Sequence, residues 1–368
     1  MKVPFQDLQA QYQTIKADID GAIGEVIQDS AFVRGNYVSK FEREYSSALG
    51  IEHCVSCGNG TDAIYIALRA LGIGSGDEVI TTALSWIATS ETITQTGAKV
   101  VFVDVEPKYF TIDPEKIEEK ISKKTRAIIP VHLYGQPANM DQIIEIAKRY
   151  RLLVIEDCAQ AHFAKYNNRY VGTIGDVGTF SFYPGKNLGA YGDAGALVTD
   201  SQEVATRARM FANHGALEKN YHLIEGINSR LDGLQGAILS VKLRHIDQWT
   251  RERRSKAKLY DELLAEVADI VTPESRLGVE HVYHLYVIRT KNRTGLIEEF
   301  RRSDIDYGIH YPTALPFLPA YNYLGHQPNE FPVAYKYQRE IISLPLYPEL
   351  TTEMLEYVFR TVANCYKA

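Results

Sequence analysis

The sequence predicts an α/β protein with a mainly parallel sheet in a large domain and a smaller α+β domain at the C-terminus. Segments with strand character alternate with segments of helical periodicity from residue 53 to residue 211. The strand segments at 126–131 and 152–156 are largely apolar, which is typical of strands that helices cover on both faces. A long helical pattern begins near Leu231, so we expect domains at residues 1–245 and 246–368.

Size and composition are those of a globular protein. A chain of 368 residues exceeds what one hydrophobic core usually takes, which favours two domains. The 45% hydrophobic and 23% charged residues exclude the membrane and fibrous classes. A net charge of −6, spread along the chain, argues against nucleic acid or a membrane surface as a partner. The polar N-terminus lacks an apolar leader segment, which predicts a cytoplasmic location.

The four cysteines are too few and too scattered for a disulfide framework. Cys54 and Cys57 have the CxxC spacing of redox and zinc sites, but no second pair or histidine cluster accompanies them. We therefore expect two buried strand thiols and no metal site.

The first elements predict an anion-binding turn. Residues 7–28 and 38–49 have the periodicity of amphipathic helices, and a short strand at 53–57 follows. That strand breaks at the glycine-rich segment 58–62, and a helix at 63–71 follows at once. Such a turn directs backbone N–H groups and the positive end of a helix dipole at an anion. Gly60 and Thr61 are thus candidate phosphate contacts, and an ordinary Asn or Thr helix cap is the equal alternative.

The later elements continue the alternation and then change character. Beyond the helical pattern at 231–267 we expect one clear strand, short helices and a proline-rich loop in the smaller domain. The predicted strands are 78–81, 99–104, 126–131, 152–156, 194–199 and 284–289, the helices 87–95, 143–148 and 201–211, and the loop 312–319.

One lysine stands in an unusual setting. Lys186 lies in a glycine-rich turn directly after an alternating strand that contains Ser181. Gly185 and Gly189 are expected to leave room for a flat ligand. A lysine that binds a cofactor covalently needs such a tethered, partly desolvated place beside a phosphate anchor. The alternative is a solvated loop lysine, which this stretch alone favours.

Three further residues are candidates for the same site. Asp157 directly follows the buried strand 152–156, and ligands bind beyond the carboxyl ends of parallel strands. A carboxylate there could keep a pyridine nitrogen protonated, whereas the alternative role is a helix cap. Gln160 is otherwise a solvated first-turn side chain, and Trp86 is either a core residue or an aromatic that stacks on a planar ring.

Seven segments carry a more specific signal. They are GNGTDA at 58–63, GDEVI at 76–80, VHLYG at 131–135, EDCAQAH at 156–162, FSFYPGKNLGAYGDAGA at 180–196, NHG at 213–215 and GINSRLDGLQ at 226–235. In these segments and their order the chain resembles the DegT/DnrJ/EryC1/StrS sugar aminotransferases, which are fold-type-I pyridoxal-phosphate enzymes. The resemblance spans nearly the whole chain. It implies a three-layer fold and pyridoxal 5'-phosphate (PLP) as the cofactor.

The resemblance assigns roles residue by residue. Lys186 resembles the lysine that holds the cofactor, Asp157 the partner of the pyridine nitrogen, and Gln160 the neighbour of the ring hydroxyl. Three residues resemble the family's phosphate anchors: Gly60, Thr61 and Ser181.

The remaining assignments concern the ring, the partner subunit and the substrate. Trp86 stands where the family often stacks a Phe or Tyr on the ring, and Asn228 resembles an asparagine that reaches the phosphate from a partner subunit. That role implies a homodimer with shared active sites. His310 and Tyr311 fall where the family recognises its sugar.

The implied reaction moves an amino group from L-glutamate to a keto-sugar. The acceptor implied is a dTDP- or UDP-linked 3-keto or 4-keto-hexose, in bacterial cell-surface polysaccharide or amino-sugar biosynthesis. The chain departs from many relatives after Tyr311 and carries Asn36 where proline is common, which leaves a sugar without a nucleotide open. A non-catalytic PLP-binding regulatory protein is the other alternative. Lys186 argues against the related pyridoxamine-dependent dehydratases, which have histidine there.

Overall fold

The computed structural model describes residues 1–366 and contains a seven-stranded sheet with the strand order β1-β9-β8-β5-β4-β2-β3. The strands of the described residues are β1 His53–Cys57, β2 Glu78–Thr82, β3 Lys99–Val103, β4 Thr125–Ile129, β5 Leu153–Asp157, β6 Lys165–Tyr166, β7 Arg169–Tyr170, β8 Val177–Ser181, β9 Gly195–Thr199, β10 Ala216–Glu218, β11 Tyr221–His222, β12 Val279–Glu280, β13 Tyr286–Arg289 and β14 Ile341–Leu344. Strands β8, β5, β4, β2 and β3 pair in parallel, while β9 runs antiparallel to both β1 and β8. The predicted mainly parallel sheet is confirmed.

The helices of residues 1–366 either cover the two faces of this sheet or pack in the C-terminal part of the chain. They are α1 Leu8–Thr14, α2 Lys16–Gln28, α3 Gly35–Leu49, α4 Gly60–Ala70, α5 Ala88–Gln95, α6 Met140–Tyr150, α7 Gln202–Phe211, α8 Gly233–Leu243, α9 Ile246–Leu264, α10 Arg293–Arg302, α11 Pro332–Glu340 and α12 Thr352–Cys365. Short 3-10 helices lie at Pro114–Lys116, Glu118–Lys120, Leu133–Gly135, Leu315–Phe317, Pro319–Leu324 and Pro328–Glu330.

The sheet separates two apolar cores. Because side chains alternate along a strand, Val154 on β5 belongs to the core that includes residues of α2, α3, α6 and α8. Its neighbour Ile155 belongs to the core that includes residues of α4, α5 and α7. The result is the three-layer α/β arrangement that the sequence predicts.

Two predicted helices are each broken in two. The segment 7–28 forms α1 and α2, because Ile15 has a φ of −128° that no α-helix accepts. The pattern at 231–267 forms α8 and α9, which are separated at Arg244 and His245. There the amides bond to carbonyls three residues back, which closes the end of α8. Apolar periodicity continues across both breaks, so it does not reveal them.

The C-terminal part has a core of its own. Strand β13 pairs antiparallel with β14, a strand that the sequence analysis missed, and α9, α10 and α12 pack on this pair. Val3 from the N-terminus joins that core and pairs with Ile305. The division at residue 245 stays a prediction. Within residues 1–366, no helix has the length and apolar character that crossing a membrane requires.

The cysteine prediction is confirmed for both residues of the CxxC spacing. Cys54 and Cys57 are buried on β1 as free thiols.

Candidate active site

The carboxyl ends of β5 and β8 and the start of α4 enclose a cavity of about 480 Å³. Most of the predicted site residues line it. These are Gly60, Thr61, Trp86, Asp157, Gln160, Ser181, Lys186 and Tyr311. His310 lines an adjoining cavity of about 210 Å³, and Asn228 lines neither of the two.

The start of α4 combines both roles proposed for this turn. Asn59 is the cap, since its side-chain oxygen accepts a hydrogen bond of 2.8 Å from the Asp62 amide. Thr61 is therefore not needed as a cap and lines the cavity. A Cβ on Gly60 would lie 2.5 Å from Cβ of Ser181, so only glycine allows α4 to start this close to the end of β8. The free amides of the first turn are thereby directed at the cavity.

A serine that the sequence analysis missed ties this turn to the segment of Asn228. Ser229 Oγ accepts a hydrogen bond of 2.9 Å from the Gly58 amide and donates one of 2.6 Å to Asp62 Oδ2. Asn228, the residue before it, is exposed. The adjacency of Ser229 to Asn228 was the signal available in the sequence. The role of Asn228 toward a partner subunit stays a prediction.

Asp157 is a buried carboxylate at the end of β5. Its Oδ1 accepts a hydrogen bond of 3.1 Å from the Ala159 amide, and its Oδ2 accepts one of 2.7 Å from the Thr89 hydroxyl. Burial raises the pKa of Asp157, and these two donors and the Lys186 ammonium oppose that rise. No helix begins within the two residues that follow it, so the helix-cap alternative is wrong. A cationic ligand group beside this carboxylate would be strongly favoured.

Thr89 was missed because its role depends on the fold. It lies on α5, far from Asp157 in sequence, and is 1% exposed. Its hydroxyl also lies 3.0 Å from Ser85 Oγ, which lines the cavity. A threonine in a helix carries no sequence signal for such a contact.

Gln160 is buried, and both ends of its amide are bonded. Its Oε1 accepts a hydrogen bond of 2.7 Å from the Tyr134 amide, and its Nε2 donates one of 2.9 Å to the Tyr311 hydroxyl. The alternative of a solvated side chain is therefore wrong. The second hydrogen of Nε2 remains for a ligand oxygen.

Trp86 is not a core residue. It is 57% exposed and lies at the wall of the cavity, with its ring centroid 5.6 Å from that of Tyr311. The two rings are tilted by 44° and so present aromatic surface to the cavity. Trp86 lies just before α5, whose first residue is Ala88.

Lys186 lies in the predicted turn after β8 and lines both cavities. Burial of its amino group lowers the pKa to about 8, against a smaller opposite effect of Asp157. The expectation that Gly189 leaves room for a ligand is wrong, since a Cβ there would lie 2.3 Å from the Pro184 carbonyl oxygen. A Cβ on Gly185 would likewise meet the Gln6 side chain at 3.0 Å. Gly189 therefore serves the packing of the turn, whereas Gly185 lines the adjoining cavity.

The adjoining cavity lies between Lys186 and the C-terminal part of the chain. His310 Nδ1 is 2.8 Å from Ser343 Oγ, and its ring stacks on Phe5 at 5.7 Å. Burial lowers the pKa of His310 to about 4, so the imidazole is neutral near pH 7. Leu285 and other apolar side chains complete the wall.

Among residues 1–366, one group has the composition of a metal site: His132, Glu156 and Cys158. The Glu156 carboxylate already accepts hydrogen bonds from the amides of Gly172, Ile174 and Gly175, and one of its oxygens lies 3.0 Å from His132 Nε2. His132 Nδ1 accepts from a further amide. These contacts lower the pKa of Glu156 despite burial and give the group a structural role.

The donor set of the larger cavity fits a planar, phosphate-bearing cation. It offers free helix amides for a phosphate, an exposed tryptophan face for a ring, a buried carboxylate for a protonated ring nitrogen, and a lysine whose amino group is easily neutralised. PLP has these features.

Comparisons with known proteins agree with this chemistry. The chain is 47% identical over 369 residues to a "Pleiotropic regulatory protein" of Geobacillus stearothermophilus, covering 100% of this chain and 99% of that protein. It is 41% identical over 351 residues to dTDP-3-amino-3,4,6-trideoxy-alpha-D-glucose transaminase of Streptomyces venezuelae, with coverage of 95% and 92%. It is 39% identical over 361 residues to a UDP-N-acetyl-3-dehydro-alpha-D-glucosamine 3-aminotransferase of Acidithiobacillus ferrooxidans, with coverage of 96% and 95%.

Solved structures support the same relationship. The crystal structure of S. venezuelae DesV superimposes with a TM-score of 0.98 at 39% identity, covering 100% of this chain and 99% of that one. NtdA of Bacillus subtilis, solved with its pyridoxamine-phosphate cofactor, gives a TM-score of 0.92 at 34% identity over 100% of this chain and 86% of that one.

Membership of one family accounts for fold, cofactor and class of reaction together. Residues 13–363 match the model of the DegT/DnrJ/EryC1/StrS aminotransferase family. The relatives include nucleotide-sugar aminotransferases whose similarity extends over nearly the whole chain. PLP is the cofactor of these enzymes, and the donor set described above fits it. The chain therefore belongs to the DegT/DnrJ/EryC1/StrS aminotransferase family and is a PLP-dependent sugar aminotransferase.

Proposed function

We propose that the protein transfers an amino group from L-glutamate to a nucleotide-linked keto-hexose, with dTDP or UDP as the nucleotide and the ketone at C-3 or C-4. The product would serve bacterial cell-surface polysaccharide or amino-sugar biosynthesis. The observation that carries this proposal is the convergence of Lys186, Asp157 and the α4 amides on one cavity. The relatives named above support the nucleotide-sugar acceptor, since their names specify dTDP- and UDP-linked sugars.

Asp157 and the phosphate anchors would hold the cofactor. The α4 amides with Thr61 and Ser181 would bind its phosphate, and Gln160 would donate to its ring hydroxyl. Asp157, with both oxygens already oriented by Thr89 and the Ala159 amide, would hold a proton at the ring nitrogen. When bound in this way, PLP supplies an electron-accepting ring to the substrate carbon.

Lys186 would move the proton of the reaction. Its pKa of about 8 leaves part of the population neutral near pH 7, so the amino group can take a proton from the donor carbon and return it. Its place between the two cavities lets Nζ serve a cofactor on one side and a substrate on the other.

His310 and Tyr311 would bind the acceptor sugar. The neutral imidazole of His310 and the Tyr311 hydroxyl offer hydrogen bonds to sugar hydroxyls without adding charge. Leu285 and Phe5 offer an apolar wall that suits a deoxygenated part of the ring. A keto-sugar without a nucleotide is the alternative acceptor.

Asn228 would complete the site of a partner subunit in a homodimer. It is exposed, and the neighbouring segment 216–224 exposes four large apolar side chains. They are Leu217 at 51%, Tyr221 at 62%, Leu223 at 54% and Ile224 at 44%. Exposed apolar groups beside a candidate site favour burial against another chain.

A non-catalytic PLP-binding regulatory protein is a second candidate, which the name of the Geobacillus relative favours. The presence of Lys186, Asp157 and Gln160 in one cavity supports catalysis.

A screen of keto-sugars against the pyridoxamine form tests the proposal. A dTDP- or UDP-linked keto-hexose should restore the absorbance of the PLP form and appear as an amino-sugar by mass spectrometry. Conversion of free keto-sugars alone would refute the nucleotide requirement, and conversion of none would favour the regulatory role.

A further inference from the structure

Hydrogen bonds attach the turn that carries Lys186 to three distant parts of the chain. Within the turn, the Lys186 amide donates to the Tyr183 carbonyl at 2.8 Å and the Ala190 amide donates to the Phe182 carbonyl at 2.7 Å. From the N-terminal segment, Gln6 Nε2 donates to the Gly185 carbonyl at 2.9 Å. The other attachments come from the C-terminal part and from α8.

Asn187, directly after Lys186, attaches the turn to the C-terminal part. It is 4% exposed, and its Nδ2 donates to the Val282 carbonyl at 3.1 Å. Its Oδ1 lies 3.1 Å from Nδ1 of His284, which therefore carries its proton on Nδ1. Both ends of the amide are used, so the backbone at residue 187 is fixed relative to the 282–284 segment.

Lys242 on α8 attaches the other end of the turn. Its Nζ donates to the Gly189 carbonyl at 2.7 Å and lies 4.4 Å from the centroid of the Tyr191 ring. The side chain is 1% exposed, and within residues 1–366 no carboxylate lies within 4.0 Å of it. Gln235, two helical turns earlier on α8, accepts from the Tyr191 amide at 2.8 Å. Burial lowers the pKa of Lys242 to about 8, against a smaller opposite effect of the Glu349 charge.

Packing alone does not explain a lysine at this position. A buried ammonium without a carboxylate in direct contact is costly, and methionine would fill the same space at no such cost. What the ammonium adds is a strong hydrogen bond to a carbonyl three residues after Lys186.

We propose that Asn187 and Lys242 are positioning residues that hold the Lys186 turn from two sides and so direct its amino group into the cavity. The inference rests on the role proposed for Lys186. The physical reason is that a displacement of about 1 Å at a reacting group lowers a rate by about a hundredfold. Neither side chain lines the cavities, so each acts through the turn.

The test compares Lys242→Met with Lys242→Arg and with Lys256→Met, a matched control on α9 whose lysine pairs with Glu252. In the apo chain, Lys242→Met should speed hydrogen exchange at the Lys186 and Ala190 amides by about tenfold or more. Lys256→Met should leave both amides unchanged, and Lys242→Arg should restore most of the protection. Asn187→Asp, which removes the donor to Val282, gives a second and independent variant.

Measurements of activity and of the acylation of Lys186 then distinguish a positioning role from a general effect on stability. In the loaded enzyme, Lys242→Met and Asn187→Asp should lower kcat by about tenfold or more and change KM for glutamate by less than about threefold. The pH dependence of Lys186 acylation, measured in the apo chain, should show that the pKa of Lys186 rises in both variants from about 8 toward the ordinary value.

Unchanged exchange and labelling in both folded variants would overturn the inference. Hydrogen exchange and labelling need no cofactor. If the variants change the exchange but the wild type has no aminotransferase activity, the proposed function is refuted instead.

Discussion

Removing the hydroxyl of Thr89, which lines the cavity, should raise the pKa of Asp157 with little change in the size of the residue. Thr89 Oγ1 donates at 2.7 Å to Asp157 Oδ2, and the other oxygen of Asp157 keeps only the longer bond of 3.1 Å from the Ala159 amide. A hydrogen bond to a buried charge contributes about 1.5–3 kcal/mol. Because one pKa unit corresponds to about 1.4 kcal/mol, Thr89→Val should raise the pKa of Asp157 by about one to two units.

The direction of the pH effect follows from the charge. Burial already raises the pKa of Asp157, and the lost donor favours the protonated form further. More of Asp157 would then be protonated and neutral at low pH, and a neutral carboxyl group does not stabilise a protonated ring nitrogen. The acid limb of the pH profile of kcat should therefore move upward by about one to two units. At high pH the variant should approach the wild-type rate.

The assay is the rate of the glutamate half-reaction between pH 5 and pH 9, a window of about four units around ordinary enzyme pKa values. Thr89→Ser keeps the hydroxyl and should retain the wild-type profile. Thr92→Val is the matched control, since Thr92 is equally buried on α5 but donates to the Ala88 carbonyl at 2.8 Å. A wild-type profile for Thr89→Val, or an equal loss at every pH, would refute the reasoning.

Three further predictions concern the lysine, the phosphate turn and the dimer. In the apo chain, Lys186→Met should be more stable than the wild type at pH 7 in urea, because the folded pKa of about 8 lies below the ordinary 10.5 and charging the buried amine costs free energy. Between about pH 8 and pH 10.5 the unfolded wild type binds more protons than the folded one, so the free energy of unfolding of the wild type should rise with pH. A difference in that free energy between variant and wild type that does not change with pH would contradict this prediction. Gly60→Ala would place Cβ 2.5 Å from the Ser181 side chain and should raise the Kd of PLP by about tenfold or more. Gly21→Ala, with nothing within 4 Å of the new Cβ, should leave that Kd unchanged. Asn228→Ala should weaken PLP binding, as measured by titration, while sedimentation should show that the proposed dimer persists. An active monomeric wild type would contradict a shared site.

The parts of the fold that sequence predicts are those that local periodicity determines. Apolar runs such as 152–156 identify buried strands, and the carboxyl ends of parallel strands meet at one edge, which brings Asp157 and Ser181 together. The glycine turn before α4 is a local signal of the same kind. These signals, with the motif order, were enough to predict most of the cavity.

What sequence did not predict depends on contacts between distant segments. Thr89, Ser229 and Lys242 are ordinary residues within helices or loops, and each gains its role from a partner more than 50 residues away. The break at Ile15 was missed because apolar periodicity continues on both sides of it. Gly189 was misinterpreted because sequence does not show that its neighbour is the Pro184 carbonyl rather than a ligand.

The most direct measurement is a stoichiometric single-turnover experiment with the PLP-loaded protein and L-glutamate. The proposed chemistry predicts loss of the absorbance of the lysine-bound cofactor and release of about one 2-oxoglutarate per chain, as expected when Lys186 moves the proton of an amino transfer. The Lys186→Ala variant should bind PLP through its phosphate anchors and release none. A wild-type protein that binds PLP and glutamate yet releases no 2-oxoglutarate would contradict the assignment as a glutamate-dependent aminotransferase.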